Sequence, residues 1–147
     1  MSIEDLEKRV KAIEDTEEIK KLHHSYINLM DALEYVKVLD LFTDDCVVEV
    51  RKSGPKIGKK AIEDIYLGTL AKNRGAERHQ GHFAVEPDIT VEGNTAKGTW
   101  LVYMLFDRPN EWVQGKNEVE YRKENGKWKI ARLKFTRTLA SDPKMYP

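Results

Sequence analysis

The chain has 147 residues, enough for one domain with a real core and too few for two comfortable ones. Lys plus Arg and Asp plus Glu number 25 each, so no net field draws in nucleic acid or anionic lipid, and the basic stretch RKSGPKIGKK reads as a solvated loop. The single Cys46 can form no internal disulfide, the N-terminus is charged from its fourth residue, and no apolar run approaches the roughly 18 residues a membrane span needs; a non-membrane, cytoplasmic protein is expected.

Ile3, Leu6, Val10 and Ile13 recur at spacings of three and four, a narrow seam on a short first helix over residues 1–14 that suits packing against a neighbour such as a second subunit. A second helix is expected over DTEEIKKLHHSYINLMDAL, with Asp15 as N-cap and Glu18 three residues on. A third, YVKVLDLF, gives way after TDD to the strand CVVEV. KSGPKIG reads as a hairpin turn with a short returning strand, followed by the helix KKAIEDIYLGTLAKN with Ile62, Ile65, Tyr66 and Leu70 on one side. From Gly81 the chain alternates like a sheet through HFAVEPDITVEG, NTAKGTWLVYMLF, EWVQGKNEVEYRK and GKWKIARLKFTRTL, punctuated by the turn residues EGN, DRPNE and ENGK. SDPKMYP, residues 141–147, reads as an irregular tail. Helices first and a long meander after them predict a single α+β domain, its helices covering one face of a strongly curved sheet.

At about 100° per residue the apolar stripe of the second helix runs from Leu22 through Tyr26 to Ile27, with Asp31 at its margin. Asp31 can face a cavity lined by the sheet or face water, and periodicity alone favours water. In HQGHFAVEPDITV, counting back by twos from Val91 puts His79 on the apolar face with Phe83 and Val85. His82 then falls on the solvent face, unless a bulge intervenes. His23 and His24 diverge on their helix, and no spacing offers a metal ligand set, so no metal site is expected. The next strand brings Trp100, Val102, Met104 and Phe106 to one face, a lining for a flat apolar ligand or plain core. Leu133, Phe135 and Arg137 are in phase on the last strand, where an arginine needs an anion or the rim.

Tyr26, Asp31, the run Leu41-Phe42-Thr43-Asp44-Asp45 and the C-terminal Gly126-Lys127-Trp128 resemble the SnoaL-like branch of the nuclear transport factor 2-like superfamily. That branch includes scytalone dehydratase, bile-acid 7α-dehydratase, hexachlorocyclohexane dehydrochlorinase and polyketide cyclases. The resemblance implies a cone-shaped α+β barrel over a deep apolar pocket, with homodimers or homotrimers formed through the sheet. It implies that Tyr26 and Asp31 match the pocket-helix tyrosine and aspartate of the dehydratases. His79 would match the pocket histidine of the bile-acid enzyme and Arg137 its C-terminal-strand arginine. It implies proton transfer by Asp31 and His79, polarisation of an oxygen by Tyr26, and no metal or organic cofactor. Four residues after the strand tryptophan those dehydratases carry Asp or His, whereas Met104 stands here; Asn117, Glu118 and Tyr103 are the candidate substitutes.

The expected function is a cofactor-independent lyase or isomerase, dehydratase-like, acting on a hydrophobic and cyclic small molecule. Its catalytic residues would be His79, Asp31 and Tyr26, with Arg137, Trp100, Val102, Met104 and Phe135 binding substrate. The alternatives are a non-catalytic carrier with the same pocket, favoured by Met104, and a structural subunit of a larger enzyme.

Overall fold

A computed structural model of the chain describes residues 1–50, 54–72 and 80–144. In chain order it holds α1 (Ile3–Asp31), α2 (Tyr35–Leu39), β1 (Phe42–Val50), β2 (Lys56–Ile57) and α3 (Lys59–Glu63), which widens into π-helical turns over Asp64–Leu70. Four long strands follow: β3 (Gln80–Glu92), β4 (Thr95–Phe106), β5 (Trp112–Glu124) and β6 (Lys127–Ala140). One six-stranded sheet has the order β2-β1-β6-β5-β4-β3, antiparallel except for the parallel pair β1–β6. β2 and β3 are its two edges, so hydrogen bonds do not close it into a barrel. The helices cover its inner face instead. No described helix is long and apolar enough to cross a membrane.

The two expected N-terminal helices are one. α1 runs unbroken for 29 residues, and its N-cap is Ser2, whose Oγ accepts from Asp5 N–H while the Asp5 carboxylate accepts from Ser2 N–H, each at 3.1 Å. Asp15, expected to cap a second helix, lies mid-helix and buried. Its Oδ2 accepts from Lys11 Nζ at 2.8 Å, and its Oδ1 from Lys123 Nζ at 2.7 Å and Trp128 Nε1 at 3.0 Å. With tertiary donors available, the carboxylate has no need of the backbone N–H groups it would otherwise cap, and the helix continues. The same contacts tie α1 to the end of the β5–β6 hairpin, where Asn125 (φ 50°) and Gly126 (φ 75°) make the tight turn that ENGK predicts.

The largest departure from the expected pattern is in β3. Its pairing with β4 shifts from Val85↔Leu101 to Asp88↔Thr99, which inserts one extra residue at Glu86–Pro87, with Glu86 at φ 51°. A slip of one residue exchanges the faces of everything beyond it. After the bulge Ile89 and Val91 pack inward as expected; before it Ala84 and His82 turn inward, and Phe83 and Val85 are exposed at 54% and 39%. The expected inward phase of Phe83 and Val85, and the solvent-facing phase of His82, are therefore corrected. His79 lies outside the described residues.

Inside, Ile19, His23, Tyr26, Ile27 and Met30 of α1 pack against the inner residues of the sheet, among them Trp100, Val102, Val119, Tyr121, Ile130 and Leu133. Burial disfavours ionisation of Asp15, but its hydrogen bonds from Lys11, Lys123 and Trp128 outweigh that and hold its pKa at about 2. A carboxylate depressed in this way stabilises the fold above its unfolded value near 3.8, and the contribution disappears as pH falls through 2. Asp15→Asn is expected to lose about 2 kcal/mol at neutral pH and to flatten the stability profile between about pH 4 and pH 2, read by urea unfolding at a series of pH values.

Candidate functional site

Where α1 ends, its last helical residue meets the start of β3. The backbone N–H of His82 donates to both oxygens of Asp31 at 3.1 Å, and His82 Nδ1 lies 2.5 Å from Asp31 Oδ1. The His82 side chain is 9% exposed and that of Asp31 32%, so the pair sits at a rim with the imidazole on the inner side. The backbone contacts orient the carboxylate, and the carboxylate orients the ring. A proton on Nδ1 is held by Asp31, which leaves Nε2 as the basic nitrogen.

Behind this pair is a hollow of about 60 Å³. Its wall is apolar along Ile27, Met30, Val102, Met104, Leu133 and Phe135. Its polar groups are His82, Gln80, Asn117 and the hydroxyls of Tyr26 and Tyr66, which lie 3.1 Å apart. Burial pushes the Tyr66 phenol well above the usual tyrosine range, so it stays protonated and able to donate at neutral pH. Gly115 makes the wall possible: a Cβ there would stand 2.2 Å from the Phe135 ring and 2.8 Å from the Thr136 carbonyl. Thr136 O is backbone, so room cannot come from turning the ring alone.

Of the residues expected to form a site, the structure brings together Tyr26, Val102, Met104 and Phe135 around the hollow, with Asp31 at its rim. Trp100 is not on that wall. Its ring is covered by the imidazole of His23, stacked at 4.3 Å between centroids and tilted by 6°. Arg137 is not on the wall either; its Nη1 donates to the Pro143 carbonyl at 2.7 Å, holding the tail against β6. Among the candidate substitutes for the polar group that Met104 replaces, Asn117 faces inward. Glu118 and Tyr103 lie on the outer face, Tyr103 accepting from Gln114 Nε2 at 2.7 Å.

Sequence reasoning assigned His82 to solvent and did not single out Gln80 or treat Tyr66 as a partner of Tyr26. A signal for His82 was present. Pro87 falls mid-strand, and a proline there marks an edge strand or a bulge; at a bulge the count by twos changes phase.

His23 is fully buried. Its Nδ1 is 3.1 Å from the Tyr121 hydroxyl, which accepts from Trp100 Nε1 at 3.0 Å, and its Nε2 lies 3.5 Å from Asn117 Nδ2. Burial, with a smaller contribution from neighbouring His24, lowers its pKa to about 3. It is a neutral core imidazole that backs Asn117. Among the described residues no group of three His, Cys, Asp or Glu side chains is placed to hold a metal ion.

A helix-covered, strongly bent sheet enclosing an apolar hollow with a hydrogen-bonded histidine–aspartate pair at its rim defines the class. The family model described as "SnoaL-like domain" matches residues 11–134, and the chain belongs to that family. No curated protein matches it in sequence. Similar solved structures include a nuclear transport factor 2-like protein with a cystatin-like fold from Novosphingobium aromaticivorans, at 22% identity over 91% of this chain and 88% of that one, TM-score 0.78. A provisionally assigned scytalone dehydratase from the same organism is 21% identical over 87% of each chain, TM-score 0.75. A hexachlorocyclohexane dehydrochlorinase of type 3 from Novosphingobium barchaimii is 16% identical over 90% of this chain and 92% of that one, TM-score 0.73. At these identities the likeness is one of fold.

A histidine kept neutral by burial contributes its full stability above the unfolded value of 6.5, and that contribution declines as pH falls towards 3. In a two-dimensional NMR titration the His23 ring signals are therefore expected to stay constant between pH 8 and pH 5. Movement over that range would show the ring charging in the folded state.

Proposed function

We propose that the chain is a lyase of the dehydratase type acting on a hydrophobic small molecule, with His82 as its base, oriented by Asp31. The observation that carries this reading is the contact of His82 with Asp31 through both ring and backbone at the edge of an apolar hollow. His79 lies outside the described residues; among the described histidines, His82 is the one that Asp31 holds. A carboxylate that holds the proton on Nδ1 leaves Nε2 free to act as the base.

The chemistry balances without an external electron acceptor. Nε2 takes a proton from a carbon beside an electron-withdrawing group, and the C–H electron pair becomes the new double bond. The hydroxyl on the neighbouring carbon leaves, receiving a proton from the imidazolium, so that H and OH depart together as water. Tyr26 and Tyr66 supply the hydrogen bonding that stabilises charge building on an oxygen, in surroundings where water competes little. Asn117 gives a second polar contact from β5, opposite the helix.

At about 60 Å³ the hollow is smaller than a ring-bearing substrate requires. Met30 and Met104 are the lining residues best able to make room, each unbranched with three rotatable side-chain bonds. The same tightness, together with Met104 where dehydratases of this family carry a polar group, favours the second reading, a carrier that binds such molecules without converting them. Purified protein incubated with hydroxylated steroids and phenolic polyketides, followed by mass spectrometry, separates the two. Loss of one water from a bound compound supports the lyase; ligand-induced thermal shifts with no product support the carrier. On a substrate found in this way, His82→Ala and Asp31→Asn are each expected to lower turnover about 10²–10⁴-fold with the fold retained.

A further inference from the structure

The first three turns of α1 project a stripe that none of the described residues covers. Ile3, Leu6, Val10 and Ile13 are exposed at 78%, 51%, 46% and 64%. Their spacing of three, four and three residues is that of alternating a and d positions over two heptads. At 100° per residue the centre of this stripe lies about 150° round the helix from the buried stripe of Ile19, His23, Tyr26 and Met30. One side of α1 therefore holds the domain and nearly the opposite side presents the apolar seam. Three of the four seam residues precede residue 11, where the family match begins.

We propose that two copies of this chain associate by parallel pairing of their α1 helices over Ile3–Ile13. Charge selects both the partner and the direction. With Ile3 and Val10 at a and Leu6 and Ile13 at d, Arg9 occupies g and Glu7 and Glu14 occupy e. In a parallel pair g of one helix faces the following e of the other, which puts Arg9 beside Glu14 of the second copy, twice by symmetry. An antiparallel pair in the register that stacks the same apolar residues sets Arg9 against Arg9 and Glu7 against Glu7. β-branched residues at both a positions and leucine at the first d favour two strands.

The seam ends where it should for a short coil. The next a and d positions are Glu17 and Lys20, which pair with each other along the helix at 2.6 Å. Two heptads alone would be too short to form in water. Here the helix exists already, capped by Ser2 and anchored through Asp15, so association pays no cost of helix nucleation. The two domains then lie on the outer sides of the helix pair, leaving both hollows unobstructed.

The test is the mass of the full chain in solution by sedimentation equilibrium and light scattering. The variant L6K/V10D is expected to halve the mass of the wild type while keeping its circular dichroism and melting temperature. R9E is expected to weaken association roughly tenfold and the double variant R9E/E14R to restore it. A wild type whose mass L6K/V10D leaves unchanged overturns the proposal. So does a wild type monomeric at every concentration reached, or an R9E variant that associates as tightly as the wild type, as an antiparallel pair would, since it only exchanges one like-charge contact for another.

Discussion

One extra residue in an edge strand decides what faces the hollow. At Glu86–Pro87 the β3–β4 pairing slips by one, and every side chain between Gln80 and Val85 changes face. Without that slip His82 would stand in solvent, turned from Asp31 at the end of α1. With it, ring and carboxylate are joined from two different elements, and His82 N–H, at the sheet edge, bonds to a carboxylate in place of another strand. The bulge thus supplies a side chain to the site and a use for an edge donor at the same time.

For the pair to keep its geometry, α1 must be held in both rotation and height against the sheet. Two contacts do this, one at the start of the packed segment and one at its middle. At Asp15 the carboxylate takes Lys123 and Trp128 from the β5–β6 hairpin. At His23 a neutral imidazole lies flat on Trp100 and meets Tyr121 and Asn117. Buried polar groups of this kind cost free energy unless fully partnered, and partnered they admit few alternative positions of the helix. Asp31, two turns beyond His23, inherits its place from them. The Tyr26–Tyr66 pair couples the helix to the α3 region in the same way.

The long helix also divides the molecule's work. Its C-terminal half is domain core and candidate site; its N-terminal half, which begins before the family match at residue 11, carries an apolar seam with charges on its flanks. A single element therefore connects the exposed apolar seam with the carboxylate that holds the His82 ring. Nothing in that connection requires motion.

Much was legible in the sequence because it depends on neighbours a few residues away. Helix and strand types, the tight turn at Asn125–Gly126, the stripe through Tyr26 with Asp31 at its margin, and the inward run of Val102 and Met104 all follow from periods of 3.6 and 2. Local signals could not say that Asp15 has Lys123 and Trp128 as partners, so a helix start was read where the helix runs on. Nor could they say that His23 covers Trp100, or that Arg137 donates to the Pro143 carbonyl. The choice of His82 belongs to the same group. A strand's phase is local, but whether it slips is settled by pairing with the next strand, and that pairing exists only once the sheet has formed.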